Sequence, residues 1–486
     1  MTLLVRILIR ACIPILLLAR GMDACATTLP PPVHRALQAA GIPENSVAVV
    51  VEPVEGATPH VTGTALSLNA DRAFNPASVM KLLTTFAALD LLGPAHTWQT
   101  EADVVAPLQG DVLTGDLFIK GGGDPYFTLE QFWRLLRQVR ARGVRVIRGD
   151  LVLDRSLFDL SGYDSSPLDD KPLRPYNVGP DALLLNFKAV QLTLIPAATD
   201  VTVLPEPRLG NLEVINQLRL SHAACLDWKE TLVPELKPAG GGWRLILRGD
   251  YPVACGEKVW NLGLMPHAEY VAGVFGPLWA ELGGEWQGQV RNGTIPPDAR
   301  RMGLIESPSL AEVVRSINKF SNNVMARELY LSLAFPNYPL RAPDAAAALR
   351  NWLAAKNMPM PELVLDNGSG LSRKGRISAR SLAHLLQFAH RSVLMPEFVS
   401  SLPLVAVDGT LKKRLNGDAV AGQGHLKTGT LDGVKTIAGY LRDQVGREWV
   451  VVFLVNHANA EKSGAAQDAL LNWLYGGGPD SASGRN

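Results

Sequence analysis

The order of elements along the chain returns on itself. Two strand-like runs, 46–54 and 64–74, lead into an apolar helix. That helix opens at Asn75-Pro76, carries Leu82, Leu83, Phe86, Leu89 and Leu92, and stops at Gly93. Asn is a good cap, Pro a good first residue and Gly a good terminator. Only from Leu310 is the chain helix-rich again, over 310–335, 343–356 and 378–390. It then ends strand–strand–helix, with strands over 435–442 and 448–456 and a helix over 463–475. From about residue 98 the texture differs: short strands alternate with turn residues, and 176–255 reads as almost wholly β. Helical patterns interrupt that stretch only near 129–142 and 267–282. Two ends of one kind around a β-rich middle predict one discontinuous α/β domain that carries an insertion.

The chain has 486 residues, 47% hydrophobic and 19% charged, which excludes a disordered protein and predicts two to four domains. Lys and Arg number 47 against 46 Asp and Glu, so no strong field draws nucleic acid or an anionic membrane. Residues 1–26 carry Arg6 and Arg10, an apolar run over 11–19, and Ala24-Cys25-Ala26, the layout of a cleaved secretory signal. The run is too short for a span, which needs about 20 residues. An exported, periplasmic chain with no stable transmembrane span is therefore expected. Loss of 1–26 leaves Cys225 and Cys255 as the cysteines of the mature chain, and in an oxidising compartment the pair reads as a disulfide. It would close a loop of about 30 residues, worth roughly 3–4 kcal/mol in the chain-entropy picture. No His-Glu-x-x-His or Cys-x-x-Cys occurs, so no structural zinc site is expected.

Three short motifs could carry chemistry. Ser78 and Lys81 lie on one face at the helix start, where a neutral amine can take the hydroxyl proton. Free backbone N–H groups there suit an oxyanion. Ser321-Asn322-Asn323 offers a hydroxyl to pass protons and an amide to hold a carbonyl. Lys427-Thr428-Gly429-Thr430 suits an edge strand: Lys427 and Thr428 could bind a carboxylate, Gly429 admits a ligand, and the Thr430 N–H could donate to an oxyanion. Each is weak alone, since Ser-x-x-Lys recurs at Ser316/Lys319 and Ser-x-Asn at Ser67/Asn69 and Ser316/Asn318. The ordered set is far more specific, and is the signature of penicillin-binding proteins and class A β-lactamases.

On these residues the chain resembles the D-alanyl-D-alanine carboxypeptidase/endopeptidase family, the low-molecular-mass class C penicillin-binding proteins. Ser78 and Ser321 stand 243 positions apart, whereas simple β-lactamases leave only a short stretch there. Gly122-Gly123-Asp124-Pro125, the run from Asp366 to Arg373, Ser401-Leu402-Pro403 and Val407 to Leu411 are also similar to the family. The resemblance implies an α/β/α sandwich of the β-lactamase/transpeptidase type at 27–97 and 304–486. It implies a second domain inserted at 98–175 and 257–303, and a β-rich third at 176–256. It selects Ser321 over Ser316, because a Met/Ala-Arg-Glu-Leu helix follows. It implies a serine-type carboxypeptidase, with endopeptidase activity, acting on peptidoglycan peptides that end in D-Ala-D-Ala, acylated by β-lactams, and needing no metal or organic cofactor. Ser78 is then the nucleophile and Lys81 the base, its pKa depressed by the charge of Lys427 with burial adding to it. Ser321 relays the proton, Asn323 orients the peptide, and the Ser78 and Thr430 amides form the oxyanion hole. Arg373 and either Asp169 or Asp170 would contact the diamino-acid side chain. A β-lactamase, or a wall-attached sensor that acylates without turnover, are the competing readings.

Overall fold

A computed structural model describes residues 28–56, 65–164, 166 and 168–478. The expected export signal at 1–26 and most of the Gly/Ser-rich tail lie outside the described residues. The described chain opens with helix α1 (Pro31–Ala39), strand β1 (Val47–Pro53), strand β2 (Leu66–Leu68) and helix α2 (Lys81–Leu92). In the middle, β3 (Leu212–Ser221), β4 (Leu232–Ala239), β5 (Gly242–Pro252) and helix α3 (His267–Glu281) matter below. The chain then forms α4 (Leu310–Phe320), α5 (Asn323–Ser332), α6 (Ala379–Arg391), β6 (Gly424–Leu431), β7 (Val434–Arg442), β8 (Glu448–Asn456) and α7 (Gly464–Tyr475).

Strands from the two ends of the chain build one antiparallel sheet in the order β2-β1-β8-β7-β6. Its central strands are apolar on both sides, as a sheet covered on both faces demands. Ala48, Val50, Val452, Leu454 and Ala438 pack with α2, α4, α5 and α6. Their neighbours Val47, Val49, Val51, Val451, Phe453 and Ile437 pack with α1 and α7. The result is an α/β/α sandwich, in which β6, the strand of Lys427, is an edge.

Elements between Gln99 and Glu306 gather on a separate core. There β5 lies between β3, which it pairs in parallel, and β4, which it pairs antiparallel. Cys225 and Cys255 are bonded, with Cα atoms 4.8 Å apart. Among the described residues no helix is long and apolar enough to cross a membrane.

One local expectation changes. The run expected over 64–74 is not one strand: β2 ends at Leu68, a turn holds Asn69 in the left-handed region, and Ala73–Phe74 pairs instead with Ile377–Ser378. The Pro-rich start is α1, with prolines in its first turn, where a missing N–H costs nothing.

Candidate active site

The helix expected from Asn75 begins as a 3-10 turn over Ala77–Met80, and α2 starts at Lys81. The turn is tightly held. Asn75 Oδ1 accepts from the Ala77 N–H at 2.9 Å, while Ala77 takes a φ of 45°. Asn456, at the end of β8, grips the Asn75 backbone from both sides at 2.7 and 3.0 Å. Thr436 on β7 donates to the Pro76 carbonyl at 2.8 Å. Ser78 is thus fixed against the sheet, and Lys81 follows one turn later.

Lys81 is fully buried. Its Nζ lies 2.9 Å from Ser78 Oγ, and donates to Asn323 Oδ1 and to the Ser369 carbonyl, both at 2.6 Å. Burial, then the Lys427 charge, then Arg327 hold its pKa well below the ordinary lysine value. The expected causes are present in the opposite order, because a fully enclosed ammonium loses its hydration outright.

Ser321 ends α4 in the left-handed conformation, φ 56°, and Asn322 caps α5 through the Met325 N–H. The sharp corner brings Ser321 Oγ to 2.8 Å from Lys427 Nζ and sends Asn323 to Lys81. Lys427 is also fully buried, and burial lowers its pKa to about 7. It donates to the Thr428 carbonyl at 2.8 Å, and the Thr428 and Thr410 hydroxyls bond each other at 2.8 Å. Gly429 lies where β6 passes the Ser78 turn: a Cβ there would stand 2.8 Å from the Ser78 amide nitrogen and collide with Thr436 Oγ1. Only glycine lets the strand come this close.

Ser78, Ser321, Asn323, Thr428, Gly429 and Thr430 line one cleft of about 780 Å³. Arg373 is on its rim, half exposed, donating to the Asp432 carbonyl at 2.9 Å. Asp169 is in the wall and Asp170 is not. The Asp169 carboxylate accepts from Tyr176 at 2.6 Å and from Asn177 at 3.0 Å. Burial raises its pKa, but those bonds outweigh it and the net shift is downward.

Sequence reasoning missed the Ser369 carbonyl, the Asn75–Asn456 clamp, and Thr410. The signal for the first lay in Gly368-Ser369-Gly370. Both glycines have positive φ, and a Cβ on Gly370 would collide with the Ala77 carbonyl.

A family model for the D-Ala-D-Ala carboxypeptidase 3 (S13) family matches residues 32–475. A D-alanyl-D-alanine carboxypeptidase of Actinomadura sp. (strain R39) is 30% identical over 419 residues, covering 81% of this chain and 76% of that protein. The crystal structure of penicillin binding protein 4 from Haemophilus influenzae superposes with a TM-score of 0.74 at 22% identity, covering 91% of this chain and 99% of that one. A predatory peptidoglycan endopeptidase from Bdellovibrio bacteriovorus shares the fold at a TM-score of 0.52 and 16% identity, over 88% of this chain and 90% of that one. By the extent of the family match and the identity to the Actinomadura protein, this chain belongs to the D-Ala-D-Ala carboxypeptidase 3 (S13) family.

Proposed function

We propose that the chain is a serine-type D-Ala-D-Ala carboxypeptidase whose acylation base is neutral Lys81. A neutral amine has two N–H bonds and one lone pair. Both N–H bonds are spent on oxygens that can only accept, those of Asn323 and Ser369, so the lone pair is left for the Ser78 hydroxyl. That arrangement is the observation that carries the reading. Ser78 Oγ bonds to the carbonyl carbon of the penultimate D-alanine as its proton passes to Lys81. The C–N bond to the terminal D-alanine then breaks, and Ser321 relays a proton to the departing amine. Water hydrolyses the acyl-serine in a second step of the same kind.

Lys427, in its cationic form, and Thr428 bind the terminal carboxylate. The Ser78 and Thr430 amides receive the oxyanion, and Asn323 orients the peptide. Arg373 and Asp169 read the diamino-acid side chain of the stem peptide. The same cleft serves cross-linked peptides as a DD-endopeptidase. β-Lactams acylate Ser78 as substrate mimics. Export to the periplasm through 1–26 puts the enzyme beside its polymer. We read 27–97 with 304–486 as the catalytic domain, 98–175 with 257–303 as the second and 176–256 as the third; the separate cores support dividing the catalytic part from the insertion, whereas the second and third share one core.

The test is release of free D-alanine from a D-Ala-D-Ala-ended muropeptide, alongside covalent penicillin labelling. Both are expected of the wild type and neither of Ser78→Ala. Retained labelling in that variant would point to another nucleophile. A cross-linked dimer muropeptide tests the endopeptidase activity, and fast release of hydrolysed penicillin would favour a β-lactamase instead.

A further inference from the structure

Far from the catalytic cleft, the inserted region carries a second groove of about 750 Å³, within the range of ligand sites. Its floor is α3 and its walls are the β4–β5 hairpin and the segment 286–290. Two indoles line it. Trp243 donates its ring N–H to the Glu269 carboxylate, and Trp286 stands edge-on to Phe275 with centroids 5.0 Å apart. Trp243 is therefore held in place before any ligand arrives. Asn211 is fixed by donating to the Glu269 carbonyl at 2.9 Å, and exposed Gln289 completes a set of planar polar groups. The hairpin turn Gly240-Gly241 has φ of 58° and 83°, which forces glycine and leaves bare backbone facing the opening.

The chemistry of this lining is selective. No Lys, Arg or His lines the groove, and Glu269 is its one charged residue. A phosphate, a nucleic acid or the free carboxylates of a stem peptide would find no cation there. Flat aromatic faces with planar amide and carboxylate groups suit an uncharged ring that is apolar on its faces and hydroxylated at its edge.

We propose that this groove binds the N-acetylated sugar chain of the cell-wall polymer, as a second anchoring point; the choice of polymer rests on the carboxypeptidase reading above. The Lys171–Glu230 pair, 2.7 Å, ties the catalytic rim to the residues just before β4. From there β4 runs away to the groove, a distance on the order of 25 Å for a strand of that length. A four-residue stem reaches only about 14 Å when extended. The groove thus holds sugar other than that bearing the stem being cut, and acts by raising the local concentration of stems at Ser78.

The test uses the full chain, tri-N-acetylchitotriose and purified peptidoglycan sacculi. Chitotriose should change the tryptophan fluorescence of the wild type. Trp243→Ala should weaken that binding on the order of 10-fold, and the exposed Gln289→Ala should weaken it several-fold without touching the core. Co-sedimentation with sacculi, and D-alanine release from sacculi, should fall in step in both variants. D-Alanine release from a small soluble peptide should stay at the wild-type rate. No chitotriose response in the wild type, or unchanged sedimentation of Gln289→Ala and Trp243→Ala, would overturn the proposal. So would competition by soluble stem peptide in place of chitotriose. Chitotriose binding without D-alanine release would instead sink the carboxypeptidase reading and leave the sugar site standing.

Discussion

Two fully buried lysines share the active site, and one cation is all so small a volume tolerates. Lys81 is the one with carbonyl oxygens at both N–H positions, and the Lys427 charge presses on it. On the proposed reading Lys427 stays cationic to receive a carboxylate, yet its pKa is only about 7 in the free enzyme. Rising pH through that value removes the charge. The expected result is that kcat/KM for a D-Ala-D-Ala peptide falls above about pH 7, since this ratio reports free-enzyme groups. A bound carboxylate restabilises the ammonium, so kcat should hold to higher pH. A peptide ended by a neutral amide should lack the alkaline fall in kcat/KM, and identical profiles for the two substrates would remove Lys427 from carboxylate binding. Lys427→Ala should cost roughly 3 kcal/mol, on the order of 100-fold in kcat/KM, on the free-acid peptide.

At the scale of elements, the site depends on three backbones meeting at Ser78: the 3-10 turn, β6 and the 366–373 loop. Gly429 is the contact between two of them. Gly429→Ala should push β6 from the Ser78 amide and spoil the oxyanion hole, costing on the order of 100-fold in penicillin acylation. Near-wild-type acylation would mean that the strand relaxes freely. Much of this was legible in the sequence. Apolar runs such as Val47–Val51 and Val450–Val455 mark strands covered on both faces, and the motif residues mark the cleft. Least legible were the contacts made by backbone. The Ser369 carbonyl is announced only by the glycines on either side of it, and Ala77 at positive φ breaks the preference of its own side chain.

The whole molecule joins its catalytic sandwich to the insertion partly through α5, the helix that starts with Asn323. Arg327 on that helix donates to the Tyr176 and Val178 carbonyls, and so braces the loop that carries Asp169. The disulfide belongs to the insertion alone. Cys225→Ser with Cys255→Ser should lower unfolding free energy by roughly 3–4 kcal/mol in denaturant while leaving kcat on a soluble peptide unchanged; a large fall in kcat would show that the insertion shapes the cleft. Glu328, next to Arg327, is entirely buried and accepts the Asp181 N–H at 2.6 Å. Burial lifts its pKa well above the ordinary carboxylate value, so the folded chain keeps a proton that the unfolded chain gives up. Above the unfolded pKa the native state therefore binds more protons, and stability falls with rising pH by about 1.4 kcal/mol per unit until the folded pKa is reached. Glu328→Gln keeps an acceptor for Asp181 but has no proton to lose. Asp124, lifted by burial to about 7, titrates in both proteins and its charge adds to the lift on Glu328, so the comparison is made below that value. Denaturant melts between about pH 5 and pH 7 should therefore show the variant gaining on the wild type as pH rises. Parallel curves would mean that Glu328 is ionised in the fold, and that the joint between insertion and catalytic helix is held by a buried charge.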